Sequence, residues 1–532
     1  MITLKPLYRG VLLLLVLLSC NTRYQQTQKL ESLSRTISGT ADSVSVSSIQ
    51  NIAQEEQFNT EGYGNIVENS FLAANQNPLS TFSIDVDQAA YSNVRRFIQN
   101  GVLPPKGAVR LEEMINYFDY DYAAPQNDDP FAIHTELASC PWNNQHKLVQ
   151  IGLKGKDIVK DKLPPANLVF LIDVSGSMDE PNKLPLVQSS LQLLTDQLRE
   201  NDRVAIVVYA GAAGTVLPST SGNNKTKIKA AIDQLQAGGS TAGAEGIQLA
   251  YKIAKENFSA NGNNRVILAT DGDFNVGMSS DDELVNLIET ERKSNIFLTV
   301  LGFGMGNYQD NKMQQLADKG NGNHAYIDNL NEAKKVLVKE FGSTLFTIAK
   351  DVKIQVEFNP EKVQSYRLIG YENRMLQKED FNDDKKDAGE MGAGHTVTAL
   401  YEIIPAGVKD AFSGKVDDLK YQTAAVSKNE FADEMLTVKL RYKTPTGDES
   451  KLMVHTVADE NTAIEYTSDN FRFSAAVASF GMLLRNSAYT QQATYEEVIR
   501  RAKNAKGKDL NGYRNEFIEL VQSAATLALA KK

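Results

Sequence analysis

The stretch LVFLIDVSGSM, residues 168–178, decides the fold: an apolar run breaks into Asp173, Ser175 and Ser177, one carboxylate and two hydroxyls at alternate positions. A short apolar run bounded by turn formers reads as a strand buried on both faces, as in the centre of a parallel sheet. Polar residues at the C-terminal end of such a strand stand where open α/β folds hold their ligands. The triplet offers only oxygen, one atom group charged and two neutral. That suits a hard divalent ion such as Mg²⁺, Mn²⁺ or Ca²⁺ and not zinc or copper. Ser and Gly after a strand also make ordinary caps and turns, so the triplet alone does not define a site.

Two further segments change the reading. GGSTAGAEGIQLAYKIA, residues 238–254, puts Thr241 on a Gly-rich loop that leads into an amphipathic helix. NRVILATDGDFN, residues 264–275, repeats the first pattern, with an apolar strand ending in Thr270, Asp271, Gly272 and Asp273. The order Asp-x-Ser-x-Ser, then Thr in Gly-Gly-Ser-Thr, then Thr-Asp-Gly resembles the von Willebrand factor type A (VWA) domain and its metal-ion-dependent adhesion site. The resemblance implies that Asp173, Ser175, Ser177, Thr241 and Asp271 are the metal-site residues. It implies that hydroxyls and Thr bind the ion directly, aspartates directly or through water, and that a Glu or Asp carboxylate of a protein partner fills the open position. All five pattern positions are met.

Outward from that stretch, strands are expected at 168–173, 203–209, 265–270, 296–302 and 324–327. Helical patterns lie near 183–199, 225–236, 243–257, 281–294, 311–319 and from about Leu330. This alternation predicts a Rossmann-like, mostly parallel sheet with helices on both faces, a VWA unit over residues 165–343. The glycines of GFGMGNYQD, residues 302–310, miss the Gly-x-Gly-x-x-Gly spacing of a dinucleotide loop, so the segment reads as a rim loop near the metal face.

At 532 residues the chain is too long for one core. A hydrophobic content of 42% and a formal charge of −10 describe a mildly acidic globular protein. No basic stripe argues for nucleic acid, and acidity disfavours an electrostatic hold on anionic lipid. Lys5 and Arg9, the apolar Val11–Leu18, then Ser19 and Cys20 resemble a bacterial lipoprotein signal. The resemblance implies that residues 1–20 are a signal peptide, that Cys20 is lipidated, and that the protein sits in the cell envelope. Asn21, in place of an Asp, points to the outer membrane. The only other cysteine, Cys140, stands near the sole Trp, Trp142, and reads as a packed small residue with no disulfide partner. Residues 21–65, rich in Gln, Ser, Thr and Asn, read as a flexible tether.

Residues 66–158 form an N-terminal α+β region, with helices expected at Ala89–Ile98 and Arg110–Phe118 and a hairpin of strands at 131–137 and 147–153. A β-rich extension over 349–460 carries strands near 352–358, 365–370, 396–404, 435–442 and 451–456. Joining 131–153 to that same sheet makes the VWA unit an insertion in a β-rich, sandwich-like body. Residues 466–532 read as amphipathic helices docked on it. The strings PLSTFSIDVD and ENRMLQKEDFNDDKKDAGEMGAGHTVTALYEI resemble extensions flanking the VWA domain in a bacterial subfamily.

Other chemistry is excluded motif by motif. Asp85-Val86-Asp87 lacks the Thr or Val two places on that a dehalogenase-type phosphatase loop wants, and Asp87 is expected to cap the helix beginning near Gln88. Asp380, Asn382 and Asp384 fail as an EF-hand because Lys385 holds the Gly place and Met391 the bidentate Glu place. His134, His146, His324, His395 and His455 show no paired ligand spacing and read as surface or hydrogen-bonded residues. No Walker loop, Ser elbow or Cys/His signature appears. The expectation is a binding protein and not an enzyme. A metal-dependent hydrolase, with Asp273 as its base, or a purely structural ion are the alternatives.

Overall fold

Ala166–Asp173 is buried at every position, as a strand with sheet neighbours on both sides and helices on both faces must be. The structure, a computed structural model, describes residues 59–158, 163–240, 243–272, 281–340, 346–412 and 431–530. In it this strand is central to a six-stranded sheet. The order is His324–Ile327, Ile296–Phe303, Asn263–Thr270, Ala166–Asp173, Arg203–Tyr209, Ala213–Ser221. All neighbours are parallel except the last pair. Leu168, Phe170 and Ile172 face one helical layer and Val169 and Leu171 the other, the period-2 alternation of a strand. The chain runs from Ala166–Asp173 to Arg203–Tyr209 on one side and later returns with Asn263–Thr270 on the other. The strand order therefore reverses beside Asp173, which opens a crevice there.

Helices Leu184–Gln197, Lys225–Asp233, Gly243–Glu256, Asp281–Arg292 and Asp310–Lys319 lie where apolar periodicity put them. The antiparallel edge strand Ala213–Ser221 was not expected. Its Gly214 and Pro218 read as turn residues, and an edge is where a sheet tolerates proline.

The β-rich body is sandwich-like as expected, but strands expected in a single sheet divide between two. The hairpin Phe131–Cys140 and Asn143–Gly155 joins Thr396–Pro405, Val363–Ile369 and Leu72–Ala73. The other sheet runs in the order Met375–Leu376, Leu79–Ser83, Thr347–Phe358, Glu434–Lys443, Ser450–Ala458, with Gly389–Gly392 also paired to Thr347–Phe358. Phe82, Val149, Ile151, Val356, Tyr366 and Tyr401 fill one core between the two sheets. The hairpin's other face, with Leu148, packs on helices Ala89–Gln99, Leu111–Asn116, Asp469–Arg485, Tyr495–Asn504 and Tyr513–Ala530. Asp469–Arg485 is not amphipathic as expected: Phe471, Phe473, Ala475, Val477 and Phe480 bury it on all sides, because it lies between the sheet and the other helices.

Two local readings are also corrected. Asp87 does not cap Ala89–Gln99; Gln88 is the N-cap and makes no side-chain cap bond. Asp87 Oδ1 instead accepts from the His324 N–H at 2.7 Å and Oδ2 from Arg374 at 3.1 Å. Residues 59–65 do not belong to a tether. Thr60–Gly62 lie along the 306–310 loop, with Thr60 N–H donating to Gly306 O at 2.7 Å and Gly62 N–H to Tyr308 O at 2.9 Å.

Ion pairs, the buried Arg95–Glu332 and Arg110–Asp310 among them, join helices of the VWA unit to the helical layer and to the β-rich body. Arg95 meets Glu332 at 2.7 Å and Glu516 at 2.8 Å, Arg110 bridges Glu113 and Asp310, and Arg374 binds Asp318 at 2.8 Å. Removing one member of such a buried pair costs about 3–5 kcal/mol. The VWA unit is therefore fixed to the body by charged contacts across its flank, beyond its two chain connections.

Candidate metal centre

The crevice at the end of Ala166–Asp173 gathers the first and third predicted loops. Asp173 is fully buried and its carboxylate is held from three directions. Oδ1 accepts from the Ser175 N–H at 2.9 Å, and Oδ2 accepts from the Tyr209 hydroxyl and the Thr270 hydroxyl, each at 3.1 Å. Burial pushes the Asp173 pKa up, the Ser175 bonds oppose this, and nearby Asp271 raises it further. Ser175 and Ser177 place their hydroxyl oxygens 3.1 Å apart, with Ser177 exposed at the rim.

Asp271, also fully buried, enters from the neighbouring strand end. Its Oδ2 accepts from Lys183 Nζ at 3.1 Å and from Asn307 Nδ2 at 3.0 Å. Gly272 follows at φ +94, and a Cβ there would lie 2.6 Å from Gln309 N, so this sharp exit admits only glycine without displacement. The second loop docks on the first through Gly238 N–H to Val174 O at 2.8 Å and Gly176 N–H to Gly239 O at 3.1 Å. Thr241 itself, Asp273 and Cys20 lie outside the described residues.

The donor chemistry fits a hard divalent ion. Two carboxylates share one buried crevice with the Lys183 ammonium on Asp271, and among the described residues no hydrogen bond puts a cation on Asp173. The Ser175 and Ser177 hydroxyls beside them supply neutral oxygen. Among the described residues no three His, Cys, Asp or Glu side chains are grouped to hold a metal.

Sequence reasoning missed Lys183, Tyr209 and Asn307 as site residues. Tyr209 ends a strand whose register places it opposite Asp173, which needs the sheet order to be known. Asn307 sits in the loop expected at the rim, and its neighbour Gly306 donates its N–H to Glu61 Oε1 at 2.8 Å. Glu61 is held in turn by Arg96 at 2.7 and 2.8 Å. Burial opposes ionisation of Glu61, but Arg96 outweighs it and holds the pKa below the usual range.

A parallel sheet with one antiparallel edge, and an Asp-x-Ser-x-Ser loop facing a Thr-Asp-Gly loop across the strand-order reversal, define a VWA-type protein. Residues 167–340 match the von Willebrand factor type A domain family, and residues 57–150 match the family described as von Willebrand factor. Residues 343–527 match the family described as uncharacterized protein YfbK, C-terminal. Over 473 residues the chain is 45% identical to uncharacterized protein YfbK of Escherichia coli K12, covering 87% of this chain and 81% of that protein. The chain belongs to the YfbK family of bacterial VWA proteins. It is also 29% identical over 196 residues to uncharacterized protein sll0103 of a Synechocystis species, covering 37% of this chain and 45% of that one. Among solved structures, von Willebrand factor type A from Catenulispora acidiphila aligns with 75% of this chain and 91% of its own at 15% identity and a TM-score of 0.39.

Proposed function

We propose that this protein binds an acidic group of a protein partner through a divalent ion, Mg²⁺ or an ion of similar hardness, held by Asp173, Ser175, Ser177, Thr241 and Asp271. The observation that carries the reading is Asp173: a fully buried carboxylate oriented by three donors beside a second buried carboxylate, with two hydroxyls leading from it to the surface. When bound, the ion supplies a Lewis-acidic coordination position for an oxygen ligand. Asp173 and Asp271 provide the charge, the serines neutral oxygen, and Tyr209 and Thr270 hold Asp173 in place.

In the same proposal Cys20 carries a lipid, and the chain after it holds the VWA face away from the envelope membrane, on the outer-membrane side. No described helix is long and apolar enough to cross a membrane. Partner capture from envelope extracts with and without chelator, beside an Asp173→Ala chain, tests the metal reading. Capture that survives both treatments refutes it. Labelled fatty acid incorporated into the wild type but not into Cys20→Ala tests the anchor, and protease accessibility on intact cells tests which face it occupies.

A further inference from the structure

Lys183 reaches the metal centre by a path built for it. It immediately precedes helix Leu184–Gln197, and its N–H donates to Glu180 O at 2.9 Å. Its side chain crosses Gly304, where a Cβ would lie 2.5 Å from Lys183 Cε and 2.6 Å from Cγ. Gly304 has φ +74, so both its backbone and the space above it call for glycine. The lysine side chain is only 5% exposed, and Nζ donates to Asp271 Oδ2 at 3.1 Å and Asn307 Oδ1 at 3.4 Å. Burying an ammonium is costly unless it is paired, so a lysine lodged this deeply beside a carboxylate is held there by that charge.

Among the described residues, Asp173 and Asp271 bring two negative charges within electrostatic reach of each other and Lys183 brings one positive charge onto Asp271, a net of −1 for these three side chains. A divalent ion turns this to +1. Without the lysine the same ion would leave the centre neutral. In a buried site, where Coulomb interactions are weakly screened, that unit of charge is a large effect.

We infer that Lys183 is a resident counter-charge that couples ion binding to capture of an acidic group. It weakens the ion's hold on the site when no acidic ligand is present, and it leaves the loaded site one charge positive, so that a carboxylate from the partner restores neutrality. The inference rests on the proposed metal reading and assigns that site its preference: anionic ligands, taken up together with the ion.

The test uses the full-length chain, Mn²⁺ as the ion and acetate as the probe. Mn²⁺ affinity is measured by calorimetry, and acetate binding to the Mn²⁺-loaded protein by paramagnetic relaxation of the acetate carbons. Lys183→Met should bind Mn²⁺ about tenfold more tightly and acetate about tenfold more weakly, opposite changes that a merely structural role does not produce. Lys183→Gln, which keeps polarity without charge, should do the same and guards against misfolding of the methionine variant. Unchanged or parallel changes in the two affinities would overturn the inference while leaving the metal reading intact. Failure of the wild type to take up Mn²⁺, or uptake undiminished in Asp173→Ala, would overturn the metal reading and the inference with it.

Discussion

Replacing Asp173 with Asn should separate what this residue does for the fold from what it does for an ion. Three donors converge on its carboxylate, the Ser175 N–H and the Tyr209 and Thr270 hydroxyls. Asp173→Ala strands all three in a buried crevice, and at about 1 kcal/mol each the expected loss is about 3 kcal/mol. Asp173→Asn keeps an acceptor for the N–H, and both hydroxyls can turn to accept from its amide, so its ion-free stability should fall within about 1 kcal/mol of the wild type. The wild-type carboxylate has its pKa raised above 3.8 by burial. The folded state therefore binds more protons than the unfolded chain between 3.8 and the raised value, and ion-free stability declines as pH rises through that window. Asparagine abolishes this decline. Added Mg²⁺ at a hundredfold excess over its Kd should stabilise the wild type by about 2.7 kcal/mol and neither variant. Chemical denaturation of the three chains, with Mg²⁺ and with chelator, measures all of this. An Asn variant as damaged as the Ala variant would show that the charge serves the fold, and a persistent Mg²⁺ effect in the Asn variant would remove Asp173 from the ligand set.

Other outcomes follow from neighbouring groups. His146 lies between Glu402 at 2.7 Å and Asp410 at 2.9 Å; burial opposes the charged ring, but the two carboxylates outweigh it and raise its pKa. Its contribution is complete below the unfolded value of 6.5 and is lost as pH rises through the folded one, so His146→Gln should flatten the alkaline limb of a stability profile. His324 behaves oppositely: burial lowers its pKa to about 3, and its contribution is lost as pH falls from 6.5 toward that value, an acid limb visible by ring-proton titration. Glu61→Ala breaks the buried pair with Arg96 and frees the Gly306 N–H, which should cost about 3 kcal/mol and show as lost hydrogen-exchange protection at the Gly306, Gly62 and Asp310 amides. Gly272→Ala forces a left-handed residue against Gln309 and should cost at least about 1–2 kcal/mol, with weaker Mg²⁺ stabilisation in the same denaturation assay.

The sheet of the VWA unit was legible because its strands are apolar runs separated by amphipathic helices, and each step of that alternation is local. The edge strand Ala213–Ser221 escaped notice because an edge relaxes the demand for apolar residues on both faces. The split of the β-rich body into two sheets was hidden for a different reason. Strand pairing is a contact between distant segments, and nothing in 131–155 or 396–405 encodes which of several apolar strands will lie beside them. The burial of Asp469–Arg485 likewise depends on what surrounds it, since its Ala- and Phe-rich surface suits a core helix and a docked one equally.

By itself the sequence determined the chemistry offered at the strand ends: Asp173, Ser175, Ser177 and Asp271 are read directly, because backbone geometry puts residues at alternate positions after a buried strand into one crevice. Only the tertiary structure decided what stands around them. Tyr209 meets Asp173 through sheet register, Lys183 meets Asp271 through the space left by Gly304, and Glu61 reaches the loop of Asn307 from a separate part of the chain. Hydrogen bonds and ion pairs depend on distance in space. Residue spacing along the chain fixes that distance only within an element, so the candidate residues at the strand ends were visible in advance and the groups that set their charge and orientation were not.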